Sequence, residues 1–508
     1  MERNGLIDIG SNTIRLVIFE YHSRTGLNEI QNIKTPARLS QYLNHDRMMT
    51  QEGIHVLKTA LSSFKKVAAA FEVHHLYPIA TAAIRQSTNQ EQILREIKKE
   101  LDLDIMIIPE EDEAFYGAYA VTHTTRIENA VTVDIGGGST ELTRFKNKKI
   151  EEAISFPFGV VTLSRMFFEN KEHNDKEALK KMEKFLKNEF SKVPWIQQQQ
   201  INLVGIGGSA RNCARIHQSA HQYPIAGIDG YTMTENDLKE VLQLLKKSTR
   251  DALTTLDGLS RDRADIILPA VTVFNVLFEM IEAKAFVFSR KGIREGFIMN
   301  QIAKKYPSEF NKAHVLKDAL RHLANEYKID GTGAKQRVKL AESLLKQLKK
   351  EKKLNIDPHL KEIFLEAAYL YYLGKFIDTD SSSQHTYYII ANSSINGLTH
   401  KDRVRLALLA SFKNKTLLKL YSDETNWFTE AELSDIQSLG GIIKFVNALN
   451  VSNTNSVSKV TLRPNQTTYD LLVNFEGEPI AESYQSNRQK KHIEKILKTK
   501  INIVFTKS

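Results

Sequence analysis

The chain begins with two short apolar runs, Leu6–Ile9 and Ile14–Phe19, separated by the polar segment Gly-Ser-Asn-Thr. Aliphatic and aromatic runs broken by turn residues predict a β-hairpin. Between positions 52 and 71 the apolar residues Ile54, Leu57, Leu61, Phe64, Val67 and Phe71 recur at helical spacing, which predicts an amphipathic helix. Leu76–Ala80 and Ile105–Ile108 read as strands, and Asn89–Leu101 and Glu110–Val121 as helices. The last of these opens on Glu110-Glu-Asp-Glu113, and acidic residues suit the positive end of a helix. Strands alternating with helices predict an α/β domain.

The pattern then restarts. Ala130–Asp134 is strand-like and ends on a glycine turn, as the first strand does. The segment Asp134-Ile-Gly-Gly-Gly-Ser-Thr-Glu141 echoes Asp8-Ile-Gly-Ser-Asn-Thr13 at a distance of 126 positions. We read this as an internal duplication, two α/β domains facing each other across a cleft. A third strand followed by a glycine turn is expected at Ile201–Ser209. From about residue 310 helical periodicity dominates through about Leu420, and the polar stretch Asn450–Ser458 has the composition of a linker. In the tail, Lys459–Leu462 and Leu471–Phe475 alternate like strands, a basic helix is expected over Ala481–Leu497, and a last strand over Ile501–Phe505. The domains expected are thus 1–125, 126–302, 303–450 and 451–508.

Bulk properties narrow the class. A chain of 508 residues exceeds one hydrophobic core. No apolar run approaches the ~18 residues of a membrane span, so no membrane partner is expected. The first residues lack the basic start and long apolar stretch of a signal peptide. Cys213 is the only cysteine, which excludes an intrachain disulfide and fits a reducing, cytoplasmic setting. The net charge is +10, and its distribution is uneven. Residues 301–508 hold 32 Lys and Arg against 22 Asp and Glu, whereas residues 1–300 hold 38 of each. The whole excess lies in the C-terminal part, which suits either solvated basic helices or a polyanion partner. Nucleic acid is disfavoured as that partner, because no basic–aromatic recognition motif accompanies the charge.

The candidate chemistry gathers on the duplicated turns. A glycine turn after a strand lets backbone N–H groups approach an anion. Gly136, Gly137 and Gly138 supply such a turn, with the Ser139 and Thr140 hydroxyls beside it, and Gly10, Ser11, Asn12 and Thr13 supply its counterpart. Two facing loops of this kind can hold a phosphate between them. Asp8, Asp134 and Glu141 flank the loops, and carboxylates next to phosphate require an intervening divalent cation, for which oxygen ligands favour Mg²⁺. Asp8 serves equally well as a residue that fixes its own turn. Pattern alone reads Glu113 as compensation of the helix dipole and Arg85 as a surface arginine. The Gly205-Ile-Gly-Gly-Ser209 turn is neither a dinucleotide fingerprint nor a P-loop.

Taken together, Ile7–Arg15, Thr81–Arg85, Glu111–Ala114, Val133–Leu142, Gly205–Ser209 and Ile293–Gly296 resemble, in order, the motifs of the exopolyphosphatase / guanosine pentaphosphate phosphatase family. The resemblance implies duplicated actin-like (ribonuclease H-like) domains flanking a cleft, then an α-helical domain related to His-Asp phosphohydrolases (HD-like) and a small α+β C-terminal domain. It places Glu113 where the family has its catalytic glutamate, the base for the attacking water, and so overturns the dipole reading. Asp134 and Glu141 fall on the metal positions, for Mg²⁺ or another divalent cation, with a monovalent ion such as K⁺ as an additional candidate. Ser11, Asn12, Arg85, the Gly136–Ser139 loop and Gly207, Gly208 and Ser209 fall on positions that hold the phosphate chain, with Arg15 and Arg263 as further phosphate or nucleotide contacts. In the helical part, Tyr371-Tyr372 stand where a His-Asp metal pair would sit, which argues against a second metal centre there and leaves His385 as a lone histidine.

The activity expected is release of terminal phosphate from inorganic polyphosphate by a homodimer. Guanosine pentaphosphate, cleaved to the tetraphosphate, is the alternative substrate, and the motifs do not separate the two. A kinase or ATPase on the same fold would need a base pocket and an acceptor site, neither of which the sequence reveals. A catalytically silent polyphosphate or alarmone sensor is opposed by the intact Glu113, Asp134 and Glu141.

Overall fold

A computed structural model describes residues 1–507 and divides the chain into two compact units. The first contains Met1–Tyr223 and Ile228–Leu316; the second contains Pro224–Gly227 and the chain from Lys317 onward.

The first unit holds two sheets. The N-terminal sheet is built from β1 (Glu2–Ile9), β2 (Thr13–His22), β3 (Gly26–Pro36), β4 (His75–Ala80) and β5 (Met106–Ile107), in the order β3-β2-β1-β4-β5. The expected hairpin is β1–β2, antiparallel and in register from Glu2↔Tyr21 to Ile9↔Ile14. β4 joins β1 in parallel, and the helix Gln51–Ala70 connects the region between β3 and β4. That helix starts on Thr50, whose hydroxyl accepts from the Gly53 N–H, and buries Ile54, Leu57, Leu61 and Phe64, as the spacing predicts. Sequence pattern missed β3. Its residues alternate between exposed and half-buried because it lies at the sheet edge, so no apolar run marks it.

The second sheet comprises β6 (Ala130–Ile135), β7 (Thr140–Lys146), β8 (Lys149–Phe156), β9 (Asn202–Ile206), β10 (Thr232–Met233) and β11 (Phe286–Phe288), in the order β10-β11-β9-β6-β7-β8. Without the two-residue edge strand β10, this is the order of the first sheet read through the same sequence of antiparallel and parallel pairings. The duplication inferred from the two Asp-Ile-Gly segments is therefore a duplication of topology. Asp8 faces Arg15 in the first sheet, and Asp134 faces Glu141 in the second.

Two helices tie the lobes together. Glu110–Thr124 belongs to the first repeat in sequence but packs on β7 and β8 of the second, where Thr143 donates to the Ala114 carbonyl at 3.2 Å. Ile293–Lys305 leaves the second lobe, crosses Glu110–Thr124 and reaches β1. Its Phe297, Ile298 and Ile302 enter the cluster formed by Leu6, Val17, Phe19 and Ile79 of the first sheet. At the crossing a Cβ on Gly296 would lie 1.9 Å from the Tyr116 carbonyl oxygen, so only glycine permits this approach.

The second unit is mainly helical, with Gly331–Lys350, Pro358–Leu370, Ser382–Asn392, His400–Ala410, Lys415–Asp423 and Glu430–Ala448 burying Leu344, Phe364 and Phe445. The tail sheet follows as β12 (Val457–Asn465), β13 (Thr468–Phe475) and β14 (Ile501–Lys507), in that order. The single basic helix expected before β14 is two, Ile480–Gln489 and Lys491–Leu497. The polar stretch expected as a linker is pinned in place. Asn453 donates to Asp330 at 2.6 Å, the Ser452 N–H donates to Glu482 at 3.1 Å, and Asn450 donates to Asn455 at 2.8 Å. Tyr371 and Tyr372 stack at 4.2 Å, and the Tyr371 hydroxyl donates to the Phe412 carbonyl, which gives the pair a packing role.

One histidine makes the first unit sensitive to acid. His123, in the last turn of Glu110–Thr124, stacks on Tyr119 at 3.8 Å and donates from Nδ1 to its carbonyl at 2.7 Å. Burial pushes its pKa down to about 4, with Lys312 and Lys148 adding repulsion. The unfolded chain therefore takes up this proton first, and the His123 contribution to stability falls as pH drops from about 6.5 towards about 4. Urea midpoints for wild type and His123→Gln at pH 7 and pH 5 should show a smaller loss in the variant; equal losses would rule His123 out as a source of the slope.

Candidate active site

The first glycine turn is fixed from behind. The Gly10 N–H donates to the Thr13 carbonyl at 3.1 Å, and the Ser11 and Asn12 carbonyls accept from the Ser40 and Arg38 N–H groups at 3.1 and 2.9 Å. The second turn is held the same way. The Gly136 N–H donates to the Ser139 carbonyl, while the Gly136 and Gly137 carbonyls accept from Val160 and Val161 at the start of the helix Val160–Phe168. Among the described residues the Gly137 and Gly138 N–H groups make no backbone hydrogen bond, which leaves them to an incoming anion. The two turns meet closely, since a Cβ on Gly137 would stand 3.3 Å from Ser11 Cβ.

The third glycine segment differs from the turn expected. Gly207 and Gly208 are the first residues of the helix Gly207–Ala220, which follows β9 directly. Gly207 has φ +81°, and a Cβ there would lie 2.4 Å from Asp134 Oδ1. A Cβ on Gly208 would lie 2.2 Å from the Arg263 guanidinium, whose Nη1 donates to Ser209 Oγ at 3.1 Å. Glycine at these positions brings the positive end of a 14-residue helix to the cleft, a ready anion site.

A cleft of about 170 Å³ unites these parts. Ser11, Asn12, Arg15, Glu113, Asp134, Gly136–Ser139, Glu141, Gly207 and Gly208 all line it, together with Asp8. Arg85 and Ser209 stand just behind the lining. Arg85 donates from Nη1 to Glu113 Oε2 at 3.0 Å and to the Ile108 carbonyl at 2.8 Å, and its Nε is buried without a hydrogen-bond partner. Sequence reasoning gave no role to Arg211, Arg290 and Arg294, which also line the cleft. Arg294 lies within the recognised Ile293–Gly296 motif, which was its available signal; Arg211 is one helical turn from Gly207, and no pattern marks Arg290. At the cleft mouth Arg290 pairs with Glu29 at 3.1 Å, and Lys34 with Asp262.

The carboxylates are held against their ordinary ionisation. Burial pushes Glu113 up to about 7 despite Arg85, with Asp134 and Asp8 adding repulsion. Burial raises Asp134 to about 6, against the pull of Arg294 and Arg263. Glu141 is raised well above the usual range by burial and by Glu113, and it accepts from Ser155 at 3.0 Å. Burial also raises Asp8, 4.0 Å from the Arg294 guanidinium. Four acidic groups line one cleft and offer only oxygen atoms, the ligand type that a hard divalent cation takes. Among them stand N–H groups and guanidinium groups suited to phosphate oxygens.

Fold and site thus define an actin-like protein whose cleft is shaped for phosphate chemistry. The chain matches the Ppx/GppA phosphatase family over residues 17–305 and that family's domain III over residues 315–483. It belongs to the Ppx/GppA phosphatase family. Among solved structures, a Ppx/GppA family member from Aquifex aeolicus is 28% identical with a TM-score of 0.54, covering 60% of this chain and 98% of its own. A second structure of the Aquifex aeolicus enzyme is 29% identical with a TM-score of 0.52, covering 58% and 98%. An exopolyphosphatase from Cytophaga hutchinsonii shares the fold at 22% identity and a TM-score of 0.54, again over 60% and 98%. Among the described residues no helix is long and apolar enough to cross a membrane.

The packing behind the glycine turn is testable. A Cβ on Gly159 would stand 2.3 Å from the Gly136 carbonyl oxygen and 2.7 Å from Gly137 C, so the backbone of the turn must move. Gly159→Ala should lower stability by about 1–3 kcal/mol and reduce phosphate release further than that loss accounts for. Thermal melts paired with rates on the folded variant check this; unchanged rates would show that the turn tolerates the shift.

Proposed function

We propose that this protein is an exopolyphosphatase, hydrolysing the terminal phosphoanhydride bond of inorganic polyphosphate and releasing orthophosphate. The observation that carries the reading is the convergence in one cleft of Glu113, Asp134 and Glu141 with two glycine turns and a helix N-terminus. The charge balance of residues 301–508 supports a long polyanion over a nucleotide.

Water attacks the terminal phosphorus in line with the departing phosphate chain. Glu113 in its ionised form accepts the water proton as general base. Arg85 orients Glu113 through the 3.0 Å pair. The N–H groups of Gly137, Gly138 and the Gly207 helix end, with Ser11, Asn12 and Arg15, hold the phosphate oxygens where negative charge accumulates. Asp134 and Glu141 would hold Mg²⁺ or another divalent cation, which neutralises charge on the phosphates and lets the carboxylates and the substrate share the cleft. K⁺ as a further ion, a homodimeric assembly and a cytoplasmic setting complete the proposal.

Guanosine pentaphosphate would use the same residues and is the competing substrate. Phosphate release from polyphosphate should exceed that from guanosine pentaphosphate at matched Mg²⁺, and the opposite order would reverse the assignment. Glu113→Gln should lower kcat by about 10²–10⁴-fold with KM little changed. Full activity in that variant would remove Glu113 as the base.

A further inference from the structure

A second cluster of potential ligands lies in the same lobe, away from the phosphate cleft. His217 and His221 are four apart, one in the last turn of the helix Gly207–Ala220 and the other its C-cap, so they share a face. The neighbouring helix Glu235–Lys247 contributes Asp237 and Glu240, three apart on its first turns. Ligand atoms of His217, His221 and Glu240 lie within 4.8 Å of one another. Individual separations are 3.0 Å between His221 Nε2 and Glu240 Oε1 and 3.6 Å between His217 Nε2 and Asp237 Oδ1. The two imidazole rings are 4.4 Å apart.

The details of His217 point to a ligand. Its side chain is only 8% exposed, yet Nε2 is buried without a hydrogen-bond partner. The other ring nitrogen, Nδ1, is 2.8 Å from the Tyr231 hydroxyl. With Nδ1–H donating to Tyr231, the lone pair sits on Nε2, the tautomer in which a second partner orients a metal-binding histidine. Asp237 is divided in the same way. Its Oδ2 accepts from the Thr234 N–H at 2.7 Å, which fixes the carboxylate and turns Oδ1 towards His217. Neighbouring ligand atoms around a tetrahedral zinc ion with bonds of ~2.0–2.1 Å lie roughly 3.3 Å apart. The His221–Glu240 separation of 3.0 Å is near that spacing, and Asp237 Oδ1 stands 3.6 Å from His217 Nε2 beside the group of three.

We propose that His217, His221 and Glu240, with Asp237 beside His217, form a binding site for a borderline divalent transition ion of the zinc class. Two imidazoles with a carboxylate suit such an ion, in contrast to the oxygen-only cleft, which suits a hard cation. The role is structural. The ion clamps the C-terminal end of the helix whose N-terminus, Gly207 and Gly208, lines the phosphate cleft, about 15 Å away at helical rise. It thereby joins that helix to Glu235–Lys247 without touching the reacting phosphate.

Cobalt(II), a spectroscopic stand-in for zinc, gives the test in the full chain after chelator treatment. One equivalent should produce the intense visible absorption of a tetrahedral nitrogen–oxygen site, displaced by Zn²⁺, which an octahedral oxygen-only site does not give. His221→Gln and Glu240→Gln, both at exposed positions, should weaken that uptake by at least about tenfold. Both should leave Mg²⁺-supported phosphate release and the metal-free circular dichroism unchanged. Only weak octahedral absorption in the wild type, or the same tetrahedral band in both variants, would overturn the site. Neither readout depends on the substrate assigned to the cleft.

Discussion

The approach of two helices at Gly296 is the constraint on which the first unit depends. A hydrogen atom is all that fits between that residue and the Tyr116 carbonyl. The crossing exchanges helices between the lobes, so that each sheet is covered in part by a helix from the other repeat. It also sets the chemistry. Glu113 lies one turn before Tyr116 on one helix, and Arg294 two residues before Gly296 on the other. A larger residue at the crossing would shift both helices, and with them two residues that line the cleft.

Duplication then supplies the rest through one scaffold used twice. Each repeat ends its first strand on Asp-Ile-Gly and returns through a turn that faces the other. The difference lies one strand over, where Arg15 in the first repeat takes the place that Glu141 takes in the second. The symmetric backbone thus holds an asymmetric charge pattern at this pair of positions.

Much of this was legible in the sequence. The hairpin, the helix over Gln51–Ala70, the restart at Ala130 and the tail strands all follow from periodicity and turn residues. The Asp-Ile-Gly repeats also located the cleft, because their glycines mark where the backbone must come close to something. Other features were hidden for identifiable reasons. β3 is an edge strand whose polar alternation leaves no apolar run. Gly207 and Gly208 resembled a turn but start a helix, since only their conformation and their neighbours Asp134 and Arg263 tell the two apart. The role of Glu113 came from family resemblance, not periodicity. Arg211 and Arg290 gain meaning only once elements far apart in sequence are brought together, and the same holds for His217 and Glu240, which sit on different helices.

The ion pairs at the cleft mouth carry a consequence of their own. Lys34–Asp262 and Glu29–Arg290 join the lobes with side chains that remain partly in water, so each is modest and weakened by salt. Arg290 is at the same time one of the arginines lining the cleft. The cleft lining and the bridge across its mouth thus draw on a single guanidinium, and the bridge weakens as ionic strength rises.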